Sequence, residues 1–136
     1  MKSFVLATLI VISLFAPTAW ASDDGQTQPR LTYAERVSPN TSIDIIGTTN
    51  GAGNIKGIYC KSINFSRGKI NIFVNGGSAQ VLEIEPGLYP ADSNGDYFTG
   101  WIPFNVRFTT SIRVQLEKQA GSGTGILGCQ VSWGLD

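Results

Sequence analysis

The sequence predicts an all-β fold: one antiparallel β-sandwich or jelly roll of about eight or nine strands. Apolar residues recur at every second position, most clearly in SIRVQLEK, where Ile112, Val114 and Leu116 share one face and Arg113, Gln115 and Glu117 the other. A half-buried antiparallel strand alternates in this way. Turn signals separate such runs at intervals of about 8–14 residues, the spacing of sandwiches and barrels. The 16 glycines all follow residue 21, so the remaining chain carries about twice the usual share of ~7%. Glycine at that level disfavours helices and supplies turns.

The first element is an address rather than part of the fold. Residues 1–21 carry one early charge at Lys2, an apolar and hydroxyl run from Phe4 to Phe15, then Pro17 and Ala19-Trp20-Ala21. These are the three parts of a secretory signal peptide, and the run is shorter than the ~20 residues that span a bilayer. Cleavage after Ala21 removes Lys2 and leaves a net charge of −1 on a chain with 10 acidic residues. The expected product is secreted or periplasmic, with no integral membrane association. Residues 22–30 (SDDGQTQPR) lack any apolar side chain and read as a flexible leader. Residues 31–136 form the β-sandwich domain, since a chain of this length has room for one core.

Within that domain the alternation places strands at 31–37, 42–46, 54–65, 69–75, 80–84, 97–102, 106–109, 111–118 and 126–133. Gly57 interrupts the third and predicts a bend or bulge there. Ser66-Arg67-Gly68-Lys69 and Asn75-Gly76-Gly77 are the hairpin candidates, because glycine and asparagine tolerate the positive φ of tight turns. In the last strand Leu127, Cys129, Val131 and Trp133 share one face, so Cys129 is expected on the core side.

Export decides how the two cysteines are read. Cys60 and Cys129, 69 positions apart, are expected to pair in an oxidising compartment, buried free thiols being the alternative. The spacing is near that of an immunoglobulin domain, but Trp101 falls far beyond the strand after Cys60. The residue two before Cys129 is Leu127 rather than a corner tyrosine, so that fold is not assigned.

The chain contains no histidine, which removes Ser/His/Asp triads, Cys/His pairs and imidazole metal ligands. Two cysteines alone cannot complete a tetrahedral zinc site. Nothing calls for a cofactor, and a near-neutral chain does not read as a nucleic-acid binder. Asp92-Ser93-Asn94-Gly95-Asp96 is dense in oxygen but does not match a calcium loop, and an Asx-type turn is the expected form. Glu83 and Glu85 sit one strand repeat apart, an arrangement that any solvated strand shows.

Aromatic residues are the stronger lead. Tyr89, Tyr97, Phe98, Trp101, Phe104 and Phe108 cluster in a segment broken by Pro90, Gly95, Gly100 and Pro103. Rings on loops or sheet faces can stack on sugars or anchor proteins. The expected ligand-binding residues are Tyr89, Tyr97 and Trp101, with the two tyrosines exposed beside the polar turn. The competing expectation is that Trp101, Phe104 and Phe108 fill the core.

The C-terminal third, with YFTGWIPFNVRFTTSIRVQLE, a glycine-rich turn and the ending GCQVSWGLD, resembles small β-sandwich structural proteins of tailed phages. That resemblance implies a decoration, fibre or adaptor role built from repeated copies. The export signal departs from it, because virion proteins assemble in the cytoplasm. The function expected is a non-enzymatic structural, adhesion or surface-interaction role, with a protein partner or self-assembly. The alternative is a carbohydrate-binding or other surface-ligand module using the aromatic platform around residues 89–101.

Overall fold

A computed structural model describes residues 28–36, 38–119 and 125–136. The expected signal peptide, residues 22–27 of the leader and most of the glycine-rich turn lie outside the described residues. All regular structure among the described residues is β. The strands are β1 (Gln28–Arg36), β2 (Thr41–Asn50), β3 (Gly53–Ser62), β4 (Gly68–Val74), β5 (Gln80–Ile84), β6 (Tyr97–Phe108), β7 (Ser111–Lys118) and β8 (Leu127–Leu135). They form two four-stranded antiparallel sheets, ordered β1-β8-β3-β6 and β2-β7-β4-β5. The expected β-sandwich is therefore observed. No helix among the described residues is long and apolar enough to cross a membrane.

The strand count is eight rather than nine because β6 runs without a break through Pro103. Proline cannot donate to a ladder, but β6 is the outer strand of its sheet, where one side needs no partner. The first strand begins at Gln28, three residues earlier than the apolar pattern indicates. It is held there by main-chain pairing, Gln28 opposite Leu135 and Arg30 opposite Trp133.

The chain changes sheet at every connection except β4–β5. Asn75-Gly76-Gly77 makes that one hairpin, with φ of 53° and 71° at Asn75 and Gly76 and a Gly77 N–H bond to Val74 O of 2.9 Å. The other hairpin candidate, Ser66 to Lys69, is corrected: it ends a corner that carries the chain from β3 in one sheet to β4 in the other. Asn64 and Phe65, read as strand, have φ of 56° and 54°, so β3 stops at Ser62. Ser66 O accepts bonds of 2.6 Å from both the Ser62 and Tyr97 hydroxyls, which pins the corner to the start of β6.

Alternation builds the core as the sequence indicates. Ile112, Val114 and Leu116 of β7 meet Ile70 and Ile72 of β4, Ile55 and Ile58 of β3 and Val131 of β8, all buried. Cys60 and Cys129 form a disulfide. They stand opposite one another on β3 and β8, so the bridge joins neighbours within one sheet and does not tie the sheets together as in immunoglobulin domains. The expected bulge at Gly57 is present, since the register of β3 shifts between Ile55 and Gly57 against both neighbours.

Candidate functional site

The two outer faces of the sandwich differ in chemistry. On β2-β7-β4-β5 the outward residues are mostly polar and partnered. Arg113 bonds Asp44 at 3.0 Å, Lys69 lies 3.5 Å from Glu117, and Asn71 donates to Glu117 at 3.2 Å. The Arg113 guanidinium covers the Phe73 ring at 5.9 Å. This is an ordinary solvated sheet face.

The outer face of β1-β8-β3-β6 is aromatic. Register aligns Tyr33, Gln130, Tyr59 and Trp101 in one row across all four strands. On one side of it runs the row Leu31, Ser132, Gly57 and Pro103, and on the other Glu35, Gly128, Lys61 and Phe98. Leu31, Tyr33, Phe98 and Trp101 are 60%, 48%, 58% and 49% exposed. Tyr59 stacks on Phe98 with centroids 6.2 Å apart. Among the described residues the other large exposed apolar side chains are Ile63, Phe65 and Leu88 on connections and Val81 on the edge strand β5.

Two glycines set the posture of the rings. A Cβ on Gly57 would stand 2.5 Å from Cε2 and Cζ2 of Trp101, and one on Gly128 would stand 2.9 Å from Cζ of Tyr33. The indole thus rests against bare backbone at Gly57, and the hydroxyl end of Tyr33 against bare backbone at Gly128. Neither glycine has a positive φ, so close approach, not backbone conformation, is what requires it.

Tyr33 is held from both ends. Its hydroxyl donates to Glu35 at 2.7 Å, and the Lys61 ammonium sits 5.7 Å from the ring centroid. Burial of the hydroxyl end against β8, then the hydrogen bond and the negative charge of Glu35, push its pKa up to about 12.

A second bulge orients Trp101. Tyr59 pairs with Trp101 and Lys61 with Phe98, which sets Thr99 and Gly100 of β6 against the single Cys60 of β3, with Gly100 at φ 67°. The Thr99 hydroxyl accepts the Cys60 N–H at 2.9 Å and so replaces the ladder bond lost at the bulge. Phe98 and Trp101, three residues apart, consequently face the same side.

Of the three residues expected to bind ligand, only Trp101 stands on this face. Tyr97 is 1% exposed, which corrects the expectation that it flanks the turn in solvent. Its side chain points into the sandwich and its hydroxyl is used at the corner. Tyr89 is half-buried and stacks on Tyr97 at 6.0 Å. These two tyrosines are together, apart from Trp101. Phe108 is buried and Phe104 packs partly on the core, as the competing expectation had it, whereas Trp101 does not. Sequence reasoning missed Tyr33 and Tyr59, and included Phe98 in the aromatic cluster without singling it out. The signal available for them was the pair of glycines inside strands, Gly57 and Gly128.

The oxygen-rich segment is an Asx turn, as expected: Asp92 Oδ1 accepts the N–H groups of Asn94 and Asp96, each at 2.9 Å. Asp96 in turn accepts the Asn64 N–H. Glu83 is exposed on β5 opposite Lys69, and Glu85 falls beyond the strand end. No group of three or more metal-ligating side chains occurs among the described residues.

No protein-family model and no curated protein matches the chain. Similar solved structures include the infectious bursal disease virus VP2 subviral particle, at 14% identity and TM-score 0.40, covering 81% of this chain and 33% of that one. T=1 particles derived from the same virus give 13% identity, TM-score 0.35 and coverage of 88% and 39%. The chain thus spans between a third and two fifths of the length of those viral proteins. They are viral but do not single out tailed phages. At such identity and TM-score nothing is carried over from those particles to this chain.

Proposed function

We propose that this protein is an exported, non-enzymatic β-sandwich that acts by contact, in a structural, adhesion or surface-interaction role. The observation that carries the reading is the asymmetry of the outer faces: one is charged and ion-paired, while the other exposes four large apolar side chains in neighbouring rows. Large exposed apolar side chains gathered on one sheet face of a small domain mark an interaction surface. Export is supported by the N-terminal pattern and by a disulfide that consumes both thiols. The absence of histidine from the sequence supports contact over catalysis.

The test is retention of the purified mature protein on cell envelopes of the producing organism. The Tyr33→Ala/Phe98→Ala/Trp101→Ala variant should lose retention while its melting temperature stays within a few degrees of the parent. Asp44→Ala/Lys69→Ala, on the opposite face, should keep it. Equal retention by all three proteins overturns the assignment of this face.

A further inference from the structure

We propose that the aromatic face takes a neutral polysaccharide chain, laid across the strands along the row Tyr33, Gln130, Tyr59 and Trp101. This rests on the face being the contact surface and names the chemistry of its ligand. The posture of the rings is the first argument. Trp101 lies against Gly57 and the hydroxyl end of Tyr33 against Gly128, so both side chains lie down over the sheet while 49% and 48% of their surface stays exposed. An aromatic face is electron-rich, and the flat side of a pyranose presents weakly positive C–H bonds to it.

The polar groups between the rings are the second argument. Gln130 lies between Tyr33 and Tyr59 in the central row, Ser132 beside it, and Glu35 and Lys61 in the next row. A sugar needs hydroxyl partners around its stacked face. The centre of a protein–protein interface, by contrast, is depleted in lysine and glutamate, which disfavours a protein partner or a second copy here. The three rows carry one acid and one base, Glu35 and Lys61, so they present no run of like charge that would recruit a charged polymer. Its width sets the size of ligand: Tyr33 and Trp101 are three strand spacings apart, about 14 Å. An oligosaccharide can engage both, and a monosaccharide cannot.

The experiment uses the mature, oxidised protein with cellohexaose, chitohexaose, mannohexaose and maltohexaose, and with the corresponding monosaccharides. Of the tryptophans after residue 21, Trp133 is buried and Trp101 exposed, so a change in emission reports on the face. At least one hexasaccharide should shift the emission and bind ten or more times tighter than its monosaccharide. By calorimetry, Trp101→Ala and Tyr33→Ala should each weaken binding about tenfold. Trp101→Phe should keep most of the affinity, and Phe73→Ala on the other face should change nothing.

The inference is overturned if no hexasaccharide binds at millimolar concentration, or if Trp101→Ala binds as the parent does. Envelope retention that still depends on the aromatic residues would then leave the contact surface standing and the sugar rejected. A concentration-dependent dimer in light scattering that Trp101→Ala abolishes would assign the face to a second copy and also reject the sugar.

Discussion

The indole of Trp101 lies across Gly57, close enough that a Cβ at residue 57 would overlap Cε2 and Cζ2. Gly57→Ala must lift the ring from the backbone, so its emission should move to longer wavelength, with a cost of about 1–2 kcal/mol for the forced displacement. Adding Trp101→Ala should recover much of that cost, because the two side chains contend for one space. Additive losses in the double variant would show that the contact is not what disfavours alanine.

Removing the disulfide should have the largest effect on stability. The bridge closes a loop of 69 residues, and the chain-entropy relation gives about 4 kcal/mol for such a loop. Cys60→Ala/Cys129→Ala should therefore unfold at markedly lower urea concentration, with the far-ultraviolet spectrum of the folded state still that of a β protein. An unchanged midpoint contradicts the prediction.

Tyr33 should titrate anomalously. With its pKa raised to about 12 against about 10 in an unfolded chain, the unfolded state releases the proton first. The stabilising contribution is complete below pH 10 and declines as pH rises through 12. Absorbance at 295 nm should show Tyr33 ionising late, alongside the buried Tyr97, whose pKa burial also raises. Glu35→Gln should bring the Tyr33 portion earlier, though not to the ordinary value, because burial of the hydroxyl end persists. If Tyr33→Phe leaves the late-ionising absorbance as large as in the parent, the shift does not belong to Tyr33.

Much of the fold was legible because it follows local rules. The alternation of residues 111–118 marked β7 to the residue, and the compartment inferred for the cysteines anticipated their pairing. The aromatic face was not legible, for two physical reasons. Tyr33, Tyr59 and Trp101 meet only because β1, β3 and β6 share a sheet, and no spacing along the chain states which strands do. Strand phase also misleads: in a regular strand Tyr97, Thr99 and Trp101 would share a face. The bulge at Thr99 and Gly100 breaks that phase, sending Trp101 outward with Phe98 while Tyr97 goes inward.

Asn75 should be more sensitive than an exposed turn residue usually is. Its Oδ1 accepts the N–H groups of Thr109 and Thr110, each at 2.9 Å, and the Thr110 hydroxyl at 3.2 Å, so it holds the β6–β7 crossing from the β4–β5 hairpin. Asn75→Gly keeps the positive φ and loses the acceptor; a cost of about 1–2 kcal/mol in urea unfolding is expected. Asn75→Asp should cost less, since it retains the oxygen. If glycine is neutral, the crossing does not depend on the side chain.

Lys118 closes β7 on the buried side, donating from Nζ to Gly125 O at 2.6 Å. Burial lowers its pKa from 10.5, so the folded state disfavours the proton relative to the unfolded one. The penalty is complete below the folded-state pKa and fades as pH rises toward 10.5. Stability of the parent relative to Lys118→Met should accordingly increase with pH up to that point. A difference that stays flat would mean that Lys118 is charged and solvated in the folded protein.

The intrasheet bridge also governs how the domain would bear tension. Gln28 stands opposite Leu135 on adjacent strands, so a pull on the two ends enters at one end of the sandwich and peels β1 from β8 one bond at a time. The covalent path then runs from β1 through β2 to Cys60, across the sulfurs to Cys129 and out along β8. Everything between the two cysteines is spared the load. Phe98 and Trp101 belong to that sheltered stretch and Tyr33 does not, so stretching would dismantle one border of the aromatic face while leaving the other anchored to β3.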